Sequence, residues 1–291
     1  MFSLIVCTVD RNDHLKRLFA SLQRQSFRQF EVIVVDQNTD DRLVSLIEPF
    51  RAHFPIRHLR SERGLSKARN VGIQAAHTDF LAFPDDDCWY GPDTLSTVYR
   101  LFTADPLLDI ATGRTLDAQN CPSVSPTGEN QCTITRDNFL SCGNSNGIFI
   151  KASLLTSIGG FDERLGVGAQ TPFQSGEEAD ILLRAIASGA KLIYFPQLIV
   201  HHDQVVAQDN PKRIERAAKY GAGFGALLRK HHFSLRYLGW RIMRPFVGSC
   251  LALARLNIRE ARYKWAWLSG IWRGYWGWQT DETTRSPEAL R

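Results

Sequence analysis

Three consecutive carboxylates, Asp85-Asp86-Asp87, follow directly on the apolar run Asp79-Phe-Leu-Ala-Phe83. Placed side by side they repel one another unless a cation shares them. Hard divalent cations take oxygen ligands, and magnesium commonly uses one or two carboxylates plus substrate phosphates. A solvated acidic turn is the other use of such a run. A second acidic group, Gly176-Glu-Glu-Ala-Asp180, opens an amphipathic pattern. Acids at a helix start complement its dipole. A carboxylate crowded by others also has its pKa raised, which suits it to take a proton from a hydroxyl. His201-His202 close the last apolar run, where an imidazole either lies on the surface or completes a metal site. Asp36 ends another such run, as a turn residue or as an acceptor for a nucleoside. Arg69 and Asn70 fall on a helical pattern, whose default is a surface face.

The elements around these residues follow from hydrophobic periodicity. Strands are expected at Phe2 to Cys7, Glu31 to Val35, Asp79 to Phe83 and Gly147 to Ile150, with a final pair at Leu192 to Phe195 and Leu198 to Val200. Helical patterns cover Asn12 to about Gln25, Gly64 to Ala76, and the residues after Gly176. Short apolar runs alternating with periodic helices predict an α/β fold with a mostly parallel sheet. Ligands bind such sheets outside the carboxyl ends of the strands. The polar clusters Thr8 to Asp10, Asp36 to Asp41 and Asp85 to Asp87 fall at those ends. Between about Asp105 and Asn138 the pattern loosens, with turns at Pro106, Pro122, Pro126 and Gly128.

Several function classes are excluded. The turn after the first strand, Cys7-Thr-Val-Asp-Arg-Asn12, has no glycine, so the dinucleotide fingerprint of NAD or FAD enzymes is missing, and no phosphate-binding P-loop occurs. Of the six cysteines, no pair has the two-residue spacing of a zinc knuckle or a thioredoxin motif. The start lacks the basic residues and cleavage site of a signal peptide, so the expected compartment is the reducing cytoplasm. Cys121 and Cys132 are candidates to pair only in an oxidising one.

Charge divides the chain. The first 208 residues hold 19 Lys and Arg against 24 Asp and Glu, whereas residues 209–291 hold 16 against 6 together with six of the seven Trp. We therefore expect a catalytic domain over residues 1–208 and a basic, Trp-rich helical extension over 209–291. Trp265, Leu268, Trp272 and Trp276 recur at helical spacing, with Gly270, Gly274 and Gly277 weakening the helix. One reading is a helical cap on the body; the other is an amphipathic surface at an anionic membrane. Arg244 and Arg255 leave only about ten uncharged residues between them, too few to span a bilayer. No stacking motif of an RNA-binding module occurs, so nucleic acid is not an expected partner.

In their order, the motifs resemble those of family 2 glycosyltransferases with the GT-A fold. The resemblance covers roughly Phe2 to Asp203. It rests on Ser3-Leu-Ile-Val-Cys-Thr-Val-Asp10, Phe30-Glu-Val-Ile-Val-Val-Asp36, Gly64-Leu-Ser-Lys-Ala-Arg-Asn-Val-Gly72 and Phe80-Leu-Ala-Phe-Pro-Asp-Asp-Asp87. It continues through Gly159-Gly-Phe-Asp-Glu163, Gly176-Glu-Glu-Ala-Asp-Ile-Leu-Leu-Arg184 and Pro196 to His202. The resemblance implies an inverting transferase with a Rossmann-like, mostly parallel sheet flanked by helices. Thr8, Asp10, Asp36, Arg69, Asp85 and Asp86 would then bind the donor nucleotide. Asp87 and His202 would hold a divalent cation, Mg2+ or Mn2+, with His201 the competitor of His202. Glu178 matches the acceptor-activating base, and Asp180 is its alternative. The donor would be a UDP-, GDP- or dTDP-sugar and the acceptor a glycan or a lipid-linked glycan of cell-surface polysaccharide synthesis. The expected location is the cytoplasm, peripheral on the inner face of the cell membrane. A metal-dependent nucleotidyltransferase and an inactive nucleotide-sugar-binding module are the rival readings.

Overall fold

The first strand, β1 (Phe2–Thr8), is buried along its whole length, which is why it reads as an apolar run rather than an alternation. The computed structural model describes residues 1–124, 128–204 and 212–279. After β1 come α1 (Asp13–Gln23), β2 (Phe30–Asp36), α2 (Val44–Ile47), β3 (Ile56–Arg60), α3 (Leu65–Ala75), β4 (Phe80–Ala82) and β5 (Cys88–Tyr90). Helix α1 turns Leu15, Leu18, Phe19 and Leu22 inward, the spacing of one face of a helix. Next are α4 (Thr94–Ala104), β6 (Leu108–Leu116), β7 (Cys132–Thr133), β8 (Ile148–Lys151), α5 (Ala152–Ser157), α6 (Glu177–Ala187) and β9 (Lys191–His202).

These strands form one sheet in the order β3-β2-β1-β4-β8-β6-β9-β5, with β7 paired to β9. The pairs β1/β2, β1/β4, β2/β3 and β6/β9 are parallel. The pairs β4/β8, β6/β8, β5/β9 and β7/β9 are antiparallel. The sheet is therefore mixed, with its parallel half at the N-terminal side.

Two expectations change here. The loosened region contains β6, a long and largely buried strand. Its polar Thr112, Arg114 and Thr115 hid it from a reading based on apolar runs. The expected strand pair near the end is a single strand, β9, whose pairing with β6 jumps from Thr112↔Tyr194 to Arg114↔Ile199. The jump brings the Leu198 carbonyl against Gly113, where a Cβ would lie 2.2 Å from that oxygen. A glycine is what lets the backbones pass. The cysteines are free, and Cys132 Sγ lies 3.8 Å from Cys142 Sγ.

The chain divides into two compact units, Met1–Arg164 with Glu177–Val206, and Leu165–Gly176 with Ala207–Arg291. The boundary expected at 208/209 lies outside the described residues. The second unit contains α7 (Arg213–Lys230), α8 (Leu235–Ala254) and α9 (Ile258–Gly277). Ser234 and Asn257 cap α8 and α9 with their side-chain oxygens. Two of the three glycines expected to weaken α9, Gly270 and Gly274, serve its packing. A Cβ at Gly274 would sit 1.9 Å from the Ala222 carbonyl, and one at Gly225 of α7 would sit 2.1 Å from that of Ile271. Leu165 and Phe173 share a small core with Ala222, Ala226 and Trp278. Among the described residues no helix is long and apolar enough to cross a membrane.

Candidate active site

Thr8, Asp36 and the Asp85-Asp87 turn stand at the carboxyl ends of three neighbouring strands, β1, β2 and β4. The three aspartates face different partners. Asp86 is buried and accepts hydrogen bonds from Thr8 Oγ1 at 2.6 Å and from Arg11 at 3.1 Å. Burial pushes its carboxyl up to about 6; Thr8 and Arg11 pull against this, while Asp87 and Asp85 add to it. Asp85 donates its backbone N–H to Asn146 Oδ1 at 2.9 Å and accepts from Arg69 at 3.3 Å. Burial raises its pKa against the opposing charge of Arg69.

Asp87 is the most strongly acidic of the three. It pairs with Arg11 and with His202 Nε2, the latter at 3.1 Å. Burial works against its charge, but the hydrogen bonds and charges of His202 and Arg11 prevail and hold the carboxyl down to about 2. In return His202 is raised: burial lowers its pKa, and the hydrogen bond and charge of Asp87 outweigh that. The adjacent His201 lies elsewhere, stacked on Trp89 with ring centroids 5.3 Å apart. Antiparallel pairing sets His202 opposite Cys88 and His201 opposite Trp89. Successive strand residues point to opposite faces, so only one histidine can meet Asp87.

No group of three or more His, Cys, Asp or Glu placed to hold a metal occurs among the described residues. The Asp87–His202 pair nonetheless suits part of a coordination sphere. Neighbouring ligands of an octahedral cation at 2.0–2.1 Å lie about 3 Å apart, close to the separation of these two groups. A divalent cation here would draw its remaining ligands from water and substrate phosphates, and Arg11 would have to release Asp87.

Arg69, on α3, is almost wholly buried. It donates to Asp85 at 3.3 Å and to Glu177 Oε1 at 3.2 Å, and lies 5.1 Å from the Phe161 ring centre. One cation thus joins the acidic turn after β4 to the start of α6. The next residue, Asn70, accepts from the Phe161 N–H at 2.8 Å and donates to the Phe161 carbonyl at 2.9 Å. Glu178 follows Glu177 and is half-buried. Burial and the charge of Glu177 push its carboxyl up to about 8, against the pull of a backbone hydrogen bond and Arg69. Asp180 is fully buried and accepts from Arg184 Nε at 2.8 Å. The same guanidinium donates to the carbonyls of Ile158 and Gly160.

The structure therefore brings Thr8, Arg69, Asp85, Asp86, Asp87 and His202 into one network, and sets Glu178 beside Glu177 at its edge. Asp10 is exposed, its N–H bound to Asn38 Oδ1 at 2.8 Å and its carboxylate near Arg42 and Arg63. Asp36 is fully buried. Its Oδ1 accepts from Asn38, and its Oδ2 meets His58 at 3.0 Å and Arg60 at 2.9 Å. In that state it shapes the loop after β2. Sequence reasoning missed Arg11, Asn146 and Glu177. The first two sit in segments with no pattern, while Glu177 was legible only as one of three acids at a helix start.

Residues 3–149 match the model of Glycosyl transferase family 2. The chain is 30% identical over 230 residues to the pre-mycofactocin glycosyltransferase of Mycobacterium tuberculosis, a match covering 75% of this chain and 45% of that protein. The chain belongs to glycosyl transferase family 2. It is also 32% identical over 99 residues to the poly(ribitol-phosphate) beta-N-acetylglucosaminyltransferase TarS of Staphylococcus aureus, covering 32% of this chain and 17% of TarS. The chain spans less than half the length of these curated relatives. The crystal structure of S. aureus TarS superposes with a TM-score of 0.62 at 17% identity, covering 90% of this chain and 54% of the other. The mannosyltransferase PcManGT of Pyrobaculum calidifontis, in complex with GDP-Man and Mn2+, superposes with a TM-score of 0.62 at 16% identity, covering 96% and 88%. These likenesses establish the GT-A fold.

Proposed function

We propose that the chain is an inverting glycosyltransferase that moves a sugar from a nucleotide-sugar to a glycan or lipid-linked acceptor in cell-surface polysaccharide synthesis. One observation carries the reading. An acidic, cation-ready pair, Asp87 and His202, shares its turn with Asp85, which the buried Arg69 joins to Glu177, the neighbour of a carboxylate with a raised pKa, Glu178. Groups with pKa values pushed apart in one site are suited to opposite roles. Glu178 takes the proton of the acceptor hydroxyl as that oxygen attacks the anomeric carbon, and the nucleoside diphosphate leaves from the opposite side. A base whose pKa lies near the working pH suits this transfer. Asp180, locked to Arg184, positions the start of α6 and is not the base. A divalent cation, Mg2+ or Mn2+, on Asp87 and His202 would supply neutralising charge to the diphosphate. Thr8 and Arg11 hold Asp86 in place, and Arg69 keeps Asp85 and Glu177 from repelling each other. Asp10, exposed two residues beyond β1, would meet the nucleoside.

The helical unit supports attachment to the inner face of the membrane. Helix α8 exposes Trp240, Met243, Phe246, Val247 and Leu251, interleaved with Arg236 and Arg244. An exposed apolar face with flanking cations fits an anionic lipid interface.

The reading is tested by titrating the full chain with UDP, GDP and dTDP in the presence of manganese. Specific binding at a hundredfold excess over Kd raises stability by about 2.7 kcal/mol. Failure of all three to bind overturns the assignment. Turnover that releases pyrophosphate rather than a nucleoside diphosphate identifies a nucleotidyltransferase, and binding without turnover an inactive module.

A further inference from the structure

The helical unit contains a cavity of about 480 Å³ in which the chemistry above has no part. Ile214 and Ala218 of α7, Leu253 of α8, and Ile258, Ala261 and Trp265 of α9 supply its apolar walls. Its size falls within the 300–1,000 Å³ range of small-molecule sites. Three charged side chains also line it: Glu215, Arg262 and Arg273. The Glu215 carboxylate is taken by Lys219 at 2.7 Å. Arg273 donates Nε to the Ser269 carbonyl at 3.3 Å, and Arg262 has no acidic partner among the described residues. Among the described residues the lining is thus apolar, with two cations that no ion pair takes. Eleven helical steps from Arg262 to Arg273 set the two about 16 Å apart on the same face of α9 at 1.5 Å per residue.

We propose that this groove holds a single hydrocarbon chain of an anionic membrane phospholipid, lying along α9 with its phosphate against Arg262 or Arg273. The proposal deepens the membrane-surface reading given above and rests on it. A chain laid along α9 finds apolar wall between two points where a phosphate is attracted. A neutral ligand would leave both cations unused, and a free phosphate would leave the apolar wall unused. Residues 280–291 read Thr-Asp-Glu-Thr-Thr-Arg-Ser-Pro-Glu-Ala-Leu-Arg, with Ala289 and Leu290 their only aliphatic side chains. That composition makes a poor plug for an apolar groove. Trp265, which lines the cavity and is exposed, provides an internal reporter.

The test titrates the full chain with n-alkyl phosphates from octyl to hexadecyl, below their micelle concentrations, using calorimetry and Trp fluorescence. The expected result is one saturable site whose affinity rises about fourfold per methylene, the factor equivalent to ~0.8 kcal/mol, and then levels off once the groove is full. Affinity that climbs without a plateau, or uptake of many ligands per chain, is partition into a surface and overturns the groove. Arg262→Glu and Arg273→Glu should show which end holds the phosphate. One of them should weaken alkyl phosphate at least tenfold while leaving dodecanol unchanged. If neither does, the charge assignment fails. Inorganic phosphate binding as tightly as the alkyl series would make this a free-anion site and overturn the proposal. Sedimentation showing a dimer that alkyl phosphate dissociates would assign the groove to a second copy, again overturning it. Ala266→Phe should abolish alkyl-phosphate binding while vesicle binding persists. The chain-length series on the native protein decides the matter should that variant fold poorly. Anionic-vesicle binding without saturable alkyl-phosphate binding refutes the groove alone, and loss of both refutes the membrane reading as well.

Discussion

At pH 9 the Glu178→Gln protein should be more stable than the native one, although the substitution removes the proposed catalytic base. The carboxyl of Glu178 is displaced from its ordinary value of 4.5 to about 8, by burial and then by the charge of Glu177. The folded state therefore keeps a proton that the unfolded chain releases. Stability from that proton is fully present below about pH 4.5 and is lost as pH rises through about 8. Over the whole interval the loss would approach 5 kcal/mol at 1.36 kcal/mol per pH unit. Water reaching a half-buried carboxylate brings it to on the order of 2 kcal/mol. Glutamine keeps the size and stays neutral, so it matches protonated glutamate at low pH and escapes the loss at high pH. For a fold of this size 2 kcal/mol corresponds to roughly 4–8 °C in Tm. Scanning calorimetry of both proteins should show equal Tm at pH 5 and the variant higher at pH 9. A Tm difference that does not change with pH, or a native protein more stable at pH 9, would refute the argument. Transfer by the same variant should fall roughly 10²–10⁴-fold while nucleotide binding survives.

Asp87→Ala should abolish manganese-dependent binding of the nucleoside diphosphate while the circular dichroism spectrum stays native; unchanged binding would remove Asp87 from the metal site. Arg69→Met strands Asp85 and Glu177 without their shared cation, so denaturant unfolding should show a loss of about 3–5 kcal/mol; a loss under 1 kcal/mol would mean the network is not cohesive. Asp180→Asn should cost about 2 kcal/mol through its bond to Arg184 yet leave transfer within tenfold of native, and a folded Asp180→Asn protein devoid of transfer would move the base there. The full chain should co-sediment with anionic vesicles and be released by salt, since surface charges are screened within about 8 Å at physiological ionic strength; equal binding to neutral vesicles would remove the electrostatic part of the attachment.

Much of this site was legible because buried strands announce themselves. β1 and β2 are continuous apolar runs, and their polar ends, together with Asp85-Asp87, had to fall at one edge of a parallel sheet. What stayed hidden depended on pairing or on distant partners. The choice between His201 and His202 needed the register of β5 against β9, which no local pattern encodes. The long strand β6 is central yet polar, since Thr112 and Thr115 find partners in Cys142 O and Asn144 Oδ1. Arg11 lies in a turn, and nothing in its neighbourhood marks it as the partner of acids 75 residues away. The separate fates of Glu178 and Asp180, one half-buried and the other locked, follow from Arg184 one turn further along α6.

The crossing of the chain between its two units bears on how such a protein can be recombined. Leu165–Gly176 belongs with the helices that follow Ala207, although it precedes α6 in sequence. Exchanging the helical unit for a relative's by a single junction near residue 208 would leave Leu165 and Phe173 facing foreign counterparts of Ala222, Ala226 and Trp278. Ser175, whose hydroxyl donates to the Tyr220 carbonyl, would lose its partner too. A working chimera needs two grafts, and the first of them ends at Gly176, immediately before Glu177 and Glu178. Any exchange that changes the helical unit must therefore be spliced beside the proposed base, so the two parts of the protein are expected to diversify together and not as interchangeable modules.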